Sequence, residues 1–152
     1  MFKLNSEKEL LECFRLLDRD EVIPPRDLSF PLIEKNYLAW LEPSGCRVYL
    51  VFNERLTTAP MGIVFRRDSG GNTLATMCEW CHSVRSGEDI GLLSATASSK
   101  RRIGIHLCRD LSCKDKIEGV PSAHDFPESA NQVERLRKVV ARMGDFARRE
   151  LY

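Results

Sequence analysis

No apolar run in this chain approaches the roughly 20 residues that a membrane-spanning helix needs. Nor does a secretory signal open it: Met1-Phe2-Lys3 leads straight into a charged, amphipathic stretch. Net charge is also missing, at +1 for 152 residues. Near neutrality is unusual for a domain that lives on phosphate contacts. Internal repeats and low-complexity tracts are absent, which excludes solenoid and linker architectures. These absences lead us to expect a cytoplasmic monomer that does not engage membranes.

What is there reads as one globular domain over 1–152, with 43% apolar and 30% charged residues. Charge is unevenly placed. Residues 1–45 carry six basic and nine acidic side chains, whereas 46–119 carry eleven basic and eight acidic. This mild basic bias suits an acidic partner, protein or RNA.

Six cysteines in a chain without an export signal point to metal or redox chemistry rather than to disulfides. Cys13 and Cys46 stand apart and read as small buried hydrophobes. The other four form two close pairs. Met77-Cys78-Glu79-Trp80-Cys81 bends into a tight knuckle that aims both sulfurs at one centre. Cys108-Arg109-Asp110-Leu111-Ser112-Cys113 spans a strand end and a helix start, and 26 residues separate the pairs. Zinc accepts four thiolates tetrahedrally at about 2.3 Å. Four ligands close its coordination sphere, so the metal reads as structural. Iron in a rubredoxin-like site is the alternative. A thioredoxin-like pair would leave Cys108 and Cys113 unexplained, and His82 and His106 read as neighbours rather than ligands. Arg85, Lys100, Arg101, Arg102 and Arg109 flank the site and are expected to offset its formal charge of about −2.

Local patterns give an α+β chain. Ser6-x-x-Glu9 predicts a capping box, with Leu10, Leu11, Phe14 and Leu17 continuing one amphipathic helix over about 6–18. Pro24-Pro25 and Pro31 mark an extended connector over 20–32. Leu32–Leu41 reads as a helical turn or an irregular segment, with Tyr37 and Trp40 as core anchors, and Pro43-Ser44-Gly45 as a turn. Cys46–Phe52 and Met61–Arg66 read as strands, as do Thr73–Met77, Leu92–Ala97 and Ile103–Cys108. Turns are expected at Thr57–Pro60, at 68–72 and at 86–91. Ser98–Arg102 is a basic loop, and a short helix follows over about 110–117. Gly119–Pro127 is a loop. Ser129-x-x-Gln132 opens a last helix whose stripe is Val133, Leu136, Val140, Met143 and Ala147.

These residues resemble the FBP-type treble-clef zinc-finger domain of the FusB-like elongation-factor-G-binding proteins. Asn36-Tyr37-Leu38-Ala39-Trp40 resembles that family's YLGW segment, and Met61-Gly62-Ile63-Val64-Phe65-Arg66 its GIVLR strand. MCEWC and GIHLCRDLSC match its two knuckles, in order and in cysteine spacing. The resemblance implies a small antiparallel β core with a treble clef over about 73–118, an N-terminal helix and a long C-terminal helix. One structural zinc would sit on Cys78, Cys81, Cys108 and Cys113.

It further implies non-enzymatic binding to translation elongation factor G, or a related translational GTPase, and its release from the ribosome. Partner contacts are then expected from Lys100, Arg101 and Phe146, with Met77 and Ile103 where the family can carry aromatic residues. FusB-type proteins also carry an N-terminal helical bundle, where one helix is expected here.

The second reading is an RNA-binding zinc protein associated with ribosomal RNA. Its phosphate-facing patch would be Arg66, Arg67, Arg85, Lys100, Arg101, Arg102 and Arg109, with Trp80 stacking on a base. An enzyme would need a nucleophile paired with a base. Cys13 or Cys46 with His124 are the only candidates, and nothing in the sequence joins them.

Overall fold

A computed structural model describes residues 1–54, 59–68, 74–119 and 132–152. Its elements are β1 (Phe2–Leu4), α1 (Glu7–Glu12), α2 (Leu16–Arg19), β2 (Leu32–Glu34), β3 (Tyr37–Leu41), β4 (Arg47–Phe52) and β5 (Met61–Arg67). There follow β6 (Thr76–Met77), β7 (Val84–Arg85), β8 (Ile90–Ser98), β9 (Arg101–Cys108), α3 (Cys113–Glu118) and α4 (Gln132–Phe146), which continues into a π-helical turn, Ala147–Leu151. The turns expected at Thr57–Pro60 and 68–72, the loop Gly119–Pro127, His124 and Ser129 fall largely or wholly outside the described residues. Among the described residues no helix is long and apolar enough to cross a membrane.

The β-branched and aromatic runs around β4 and β5 pair antiparallel and seed a five-stranded sheet of order β3-β4-β5-β8-β9. Side chains alternate between its faces, and both faces are covered. Val48, Leu50, Phe52, Ile63, Phe65, Leu93 and Leu107 join α3, α4 and the four clustered cysteines in one core. Tyr49, Val51 and Val64 point the other way, against Phe2, Leu4, Leu10 and Phe14. The sheet thus separates an N-terminal layer from the metal side.

Three expectations change. Leu32–Leu41 forms two strands, β2 paired with β1 and β3 paired with β4. A run such as Tyr37-Leu38-Ala39-Trp40-Leu41 has no clean period, because a strand covered on both faces need not alternate. The helix over 6–18 breaks into α1 and α2. Ser6 caps α1 by accepting the Glu9 N–H, while the Glu9 carboxylate accepts the Asn5 N–H at 2.7 Å. Beyond Cys13, tertiary contacts win over helix. Phe14 turns inward against Trp40 and Tyr49, and Arg15 adopts extended backbone as the α2 N-cap. From there its guanidinium reaches Asp18 at 2.8 Å, the Thr96 carbonyl at 2.5 Å and the Leu151 carbonyl at 3.1 Å. Leu16 and Leu17 are consequently exposed. Finally, the basic loop Ser98–Arg102 is a tight turn at Ser99-Lys100, because Ser98 pairs directly with Arg101.

Gly62 allows the N-terminal layer to approach the sheet. A Cβ there would fall 2.6 Å from the Phe14 ring. Its N–H donates to the Cys13 carbonyl at 2.8 Å, and its own carbonyl accepts the Tyr152 hydroxyl at 2.8 Å.

Candidate metal centre

The first knuckle lies in the β6–β7 hairpin. Cys78 N–H donates to Ser83 O, and His82 N–H donates to Cys78 O, both at 2.9 Å. His82 takes φ 62°, closing the turn so that the Cys81 amide points at the Cys78 sulfur, 3.5 Å away. The second knuckle runs off the end of β9. Leu111, at φ 57°, donates its N–H to Cys108 O, and the Asp110 carboxylate accepts Ser112 N–H at 3.1 Å. Cys113 is then the first residue of α3.

Glu79 docks one knuckle on the other. Its N–H donates to His106 O at 2.9 Å, and its carboxylate accepts His106 N–H at 3.0 Å.

The four sulfurs converge, all within 4.8 Å of one another and all buried. Cys78–Cys113 and Cys113–Cys108 separations are 3.7 Å, and Cys81–Cys108 is 3.6 Å. A tetrahedron with metal–sulfur bonds of about 2.3 Å has edges of about 3.8 Å. The set therefore fits one structural zinc with four thiolate ligands. The hydrogen bonds of Cys108, and then of Cys113, hold the Cys78 and Cys81 thiols below the usual range. Cys108 is pulled down by Cys113, but its bonds to Cys78 and Cys81 and its burial leave it above that range. Cys113 is raised by its bonds to Cys108, Cys78 and Cys81. A metal takes all four sulfurs as thiolates, so its binding releases protons and weakens in acid.

Neither histidine belongs to the set: His82 contributes a turn and His106 a strand backbone. Of the other cysteines, Cys13 is half-buried, and burial pushes its thiol up to about 11. Cys46 is exposed, contrary to expectation, because it lies just ahead of β4 rather than inside it.

Charge compensation differs from expectation. Arg109 hydrogen-bonds the Asp68 and Glu88 carbonyls, Arg102 the Ser94 and Thr96 hydroxyls, and Arg101 pairs with Glu150 at 3.6 Å. The nearer cation is Lys116, one turn after Cys113. Burial lowers its ammonium, but Cys108, Asp110 and Cys113 together outweigh this and raise it. The i, i+3 spacing from Cys113 was its legible signal.

Tyr37 is the supporting residue that spacing could not reveal. Its hydroxyl donates to Leu111 O at 2.6 Å and accepts Lys114 N–H at 2.8 Å, tying β3 to the second knuckle. Burial drives its phenol well above the usual range, so it remains a donor at neutral pH. Tyr37→Phe leaves two backbone groups without this partner. It is expected to cost about 1–3 kcal/mol and to weaken zinc about 10–100-fold, read by denaturant titration and chelator competition.

The expected contact residues separate into two groups. Ile103 and Phe146 line one groove of about 330 Å³ beside the finger, and Arg101 reaches its rim through Glu150. Met77 is exposed on β6 and Lys100 is exposed in the β8–β9 turn; neither lines the groove. Phe146 is half-buried, 6.1 Å from the Trp80 ring and 5.9 Å from the Phe65 ring. Trp80 itself is 2% exposed, which removes the base-stacking contact of the RNA reading. Its indole is a wedge between the sheet and α4, and Arg142 donates to its carbonyl at 2.5 Å.

Comparison with curated protein sequences returns no match. Among solved structures, the fusidic acid resistance protein FusC is similar in fold. It has 22% identity and a TM-score of 0.50 over 74% of this chain and 50% of that one. The chain thus spans about half the length of that protein. The FBP C-terminal treble-clef zinc-finger model matches residues 8–149, taking in both knuckles, the sheet and the last helix. With its four sulfurs at tetrahedral spacing, the chain belongs to the FBP C-terminal treble-clef zinc-finger family.

Proposed function

We propose that the chain is a non-enzymatic, cytoplasmic binding module for translation elongation factor G or a related translational GTPase, acting as a monomer and promoting its partner's release from the ribosome. Membership of the FBP family carries the reading. Fold similarity to a fusidic acid resistance protein is in keeping with it. So is a four-thiolate centre, which leaves no coordination position for a substrate or an activated water.

Recognition then falls to the surface beside the metal. Lys100 projects from the β8–β9 turn, and Arg101 next to it is exposed. Lys100→Glu combined with Arg101→Glu is expected to weaken elongation factor G binding at least tenfold. Bound zinc should stay at wild-type level and stability should shift by less than about 1 kcal/mol, since the Arg101–Glu150 pair is a surface one. Titration calorimetry with purified elongation factor G is the test. A wild-type chain that shows no binding heat and is not retained in a pull-down would overturn the reading.

A further inference from the structure

The five-stranded sheet ends on β9, and an open strand edge is a template for a further strand. His106 reveals which way that edge points. Its N–H and C=O both bond to Glu79, on the side away from β8. Bonding direction alternates along an antiparallel strand, and the β8–β9 register is unbroken from 104 to 106. Gly104 therefore also presents its N–H and C=O outward. It is exposed, and among the described residues nothing hydrogen-bonds these two groups. Glu79 acts as the first rung of an added strand at His106; the next rung, at Gly104, is open.

The open rung faces the groove beside the finger, with Ile103 and Ile105 on one wall and Phe146 and Arg149 on the other. The acidic groups there are engaged: Asp145 with Arg148 at 2.8 Å, a cation it shares with Glu54, Glu150 with Arg101, and Glu79 with the His106 backbone N–H. Arg142 holds the Trp80 carbonyl. Arg149 is the groove side chain left without a partner among the described residues, so it is the cation free to take an incoming carboxylate.

We infer that this groove takes an extended peptide strand from the partner, hydrogen-bonded to Gly104 and carrying a carboxylate side chain to Arg149. This is strand addition, in which the backbone supplies affinity and side-chain contacts supply selectivity. The inference rests on the protein-binding reading above and names what the partner brings to it.

The test is hydrogen exchange of the Gly104 amide in the zinc-loaded full chain. It is run with elongation factor G and, separately, with a blocked heptapeptide of alternating valine and glutamate. Both are expected to slow Gly104 exchange at least tenfold, and Arg149→Glu should abolish the heptapeptide effect. Two variants isolate the N–H. Gly104→Pro removes it, and proline is tolerated where an edge N–H faces away from the ladder. Gly104→Ala keeps it while placing the same Cβ 3.0 Å from the yielding Leu92 side chain. Heptapeptide affinity should fall at least tenfold in Gly104→Pro and change less than about threefold in Gly104→Ala. A heptapeptide that leaves Gly104 exchange unchanged, or binds both variants alike, overturns the inference whatever elongation factor G does. Protection by the heptapeptide without any binding of elongation factor G upholds the strand site and refutes the partner reading instead.

Discussion

Cys113→Ser is expected to abolish stoichiometric zinc and, with it, the cooperative fold. Structural zinc contributes apparent binding free energies of about 10–16 kcal/mol in small zinc domains. Whole domains are stable by only about 5–15 kcal/mol. The loss cannot stay local here, because Cys78, Cys81, Cys108 and Cys113 sit in the same core as Leu50, Phe65, Leu93 and Val139. Without metal, that core would hold four sulfurs packed within 4.8 Å of one another with no cation between them. Chelation of the wild-type chain should reproduce the effect, and mild acid should too, because protons compete with the metal for thiolates. Near-ultraviolet circular dichroism with metal analysis checks this. A Cys113→Ser protein that melts within a few degrees of wild type would exclude a structural metal.

Trp80→Ala carries the next largest effect. The indole is 2% exposed and touches Phe65 at 5.9 Å and Phe146 at 6.1 Å, so truncation opens a cavity between the sheet and α4. Such changes cost about 3–5 kcal/mol, or a Tm lower by roughly 6–20 °C for a domain of this size. The four ligands remain, so zinc content should hold at one per chain. This separates Trp80→Ala from the cysteine variant, which should lose both. Elongation factor G binding should also fall, since Phe146 loses the surface that orients it. Destabilisation of less than about 1 kcal/mol would contradict the wedge role.

The features legible in the sequence are those set by local chemistry. The metal knuckles could be read because each ligand pair is close in sequence and zinc geometry is demanding. The strands β4, β5, β8 and β9 could be read from their composition. The last helix could be read from its stripe, although Val133 is 71% exposed rather than buried. What was not legible depends on contacts between distant segments. Nothing near Phe14 or Arg15 announces that the first would pack on Gly62, or that the second would hold the Thr96 and Leu151 carbonyls, yet these contacts break the expected first helix. Tyr37 reads as a core aromatic; its bonds to the second knuckle appear only when β3 and α3 are placed together. The groove is of the same kind, for β9 and α4 meet across a stretch of sequence that no local pattern spans.

Native mass spectrometry of the untagged protein, with elongation factor G binding measured before and after chelation, tests the central claim most directly. One zinc per chain is expected, and its removal should abolish both the folded charge-state envelope and binding, with both returning on zinc addition. A metal-free chain that remains folded and binds elongation factor G as tightly as before would contradict the claim that the zinc centre shapes the binding surface.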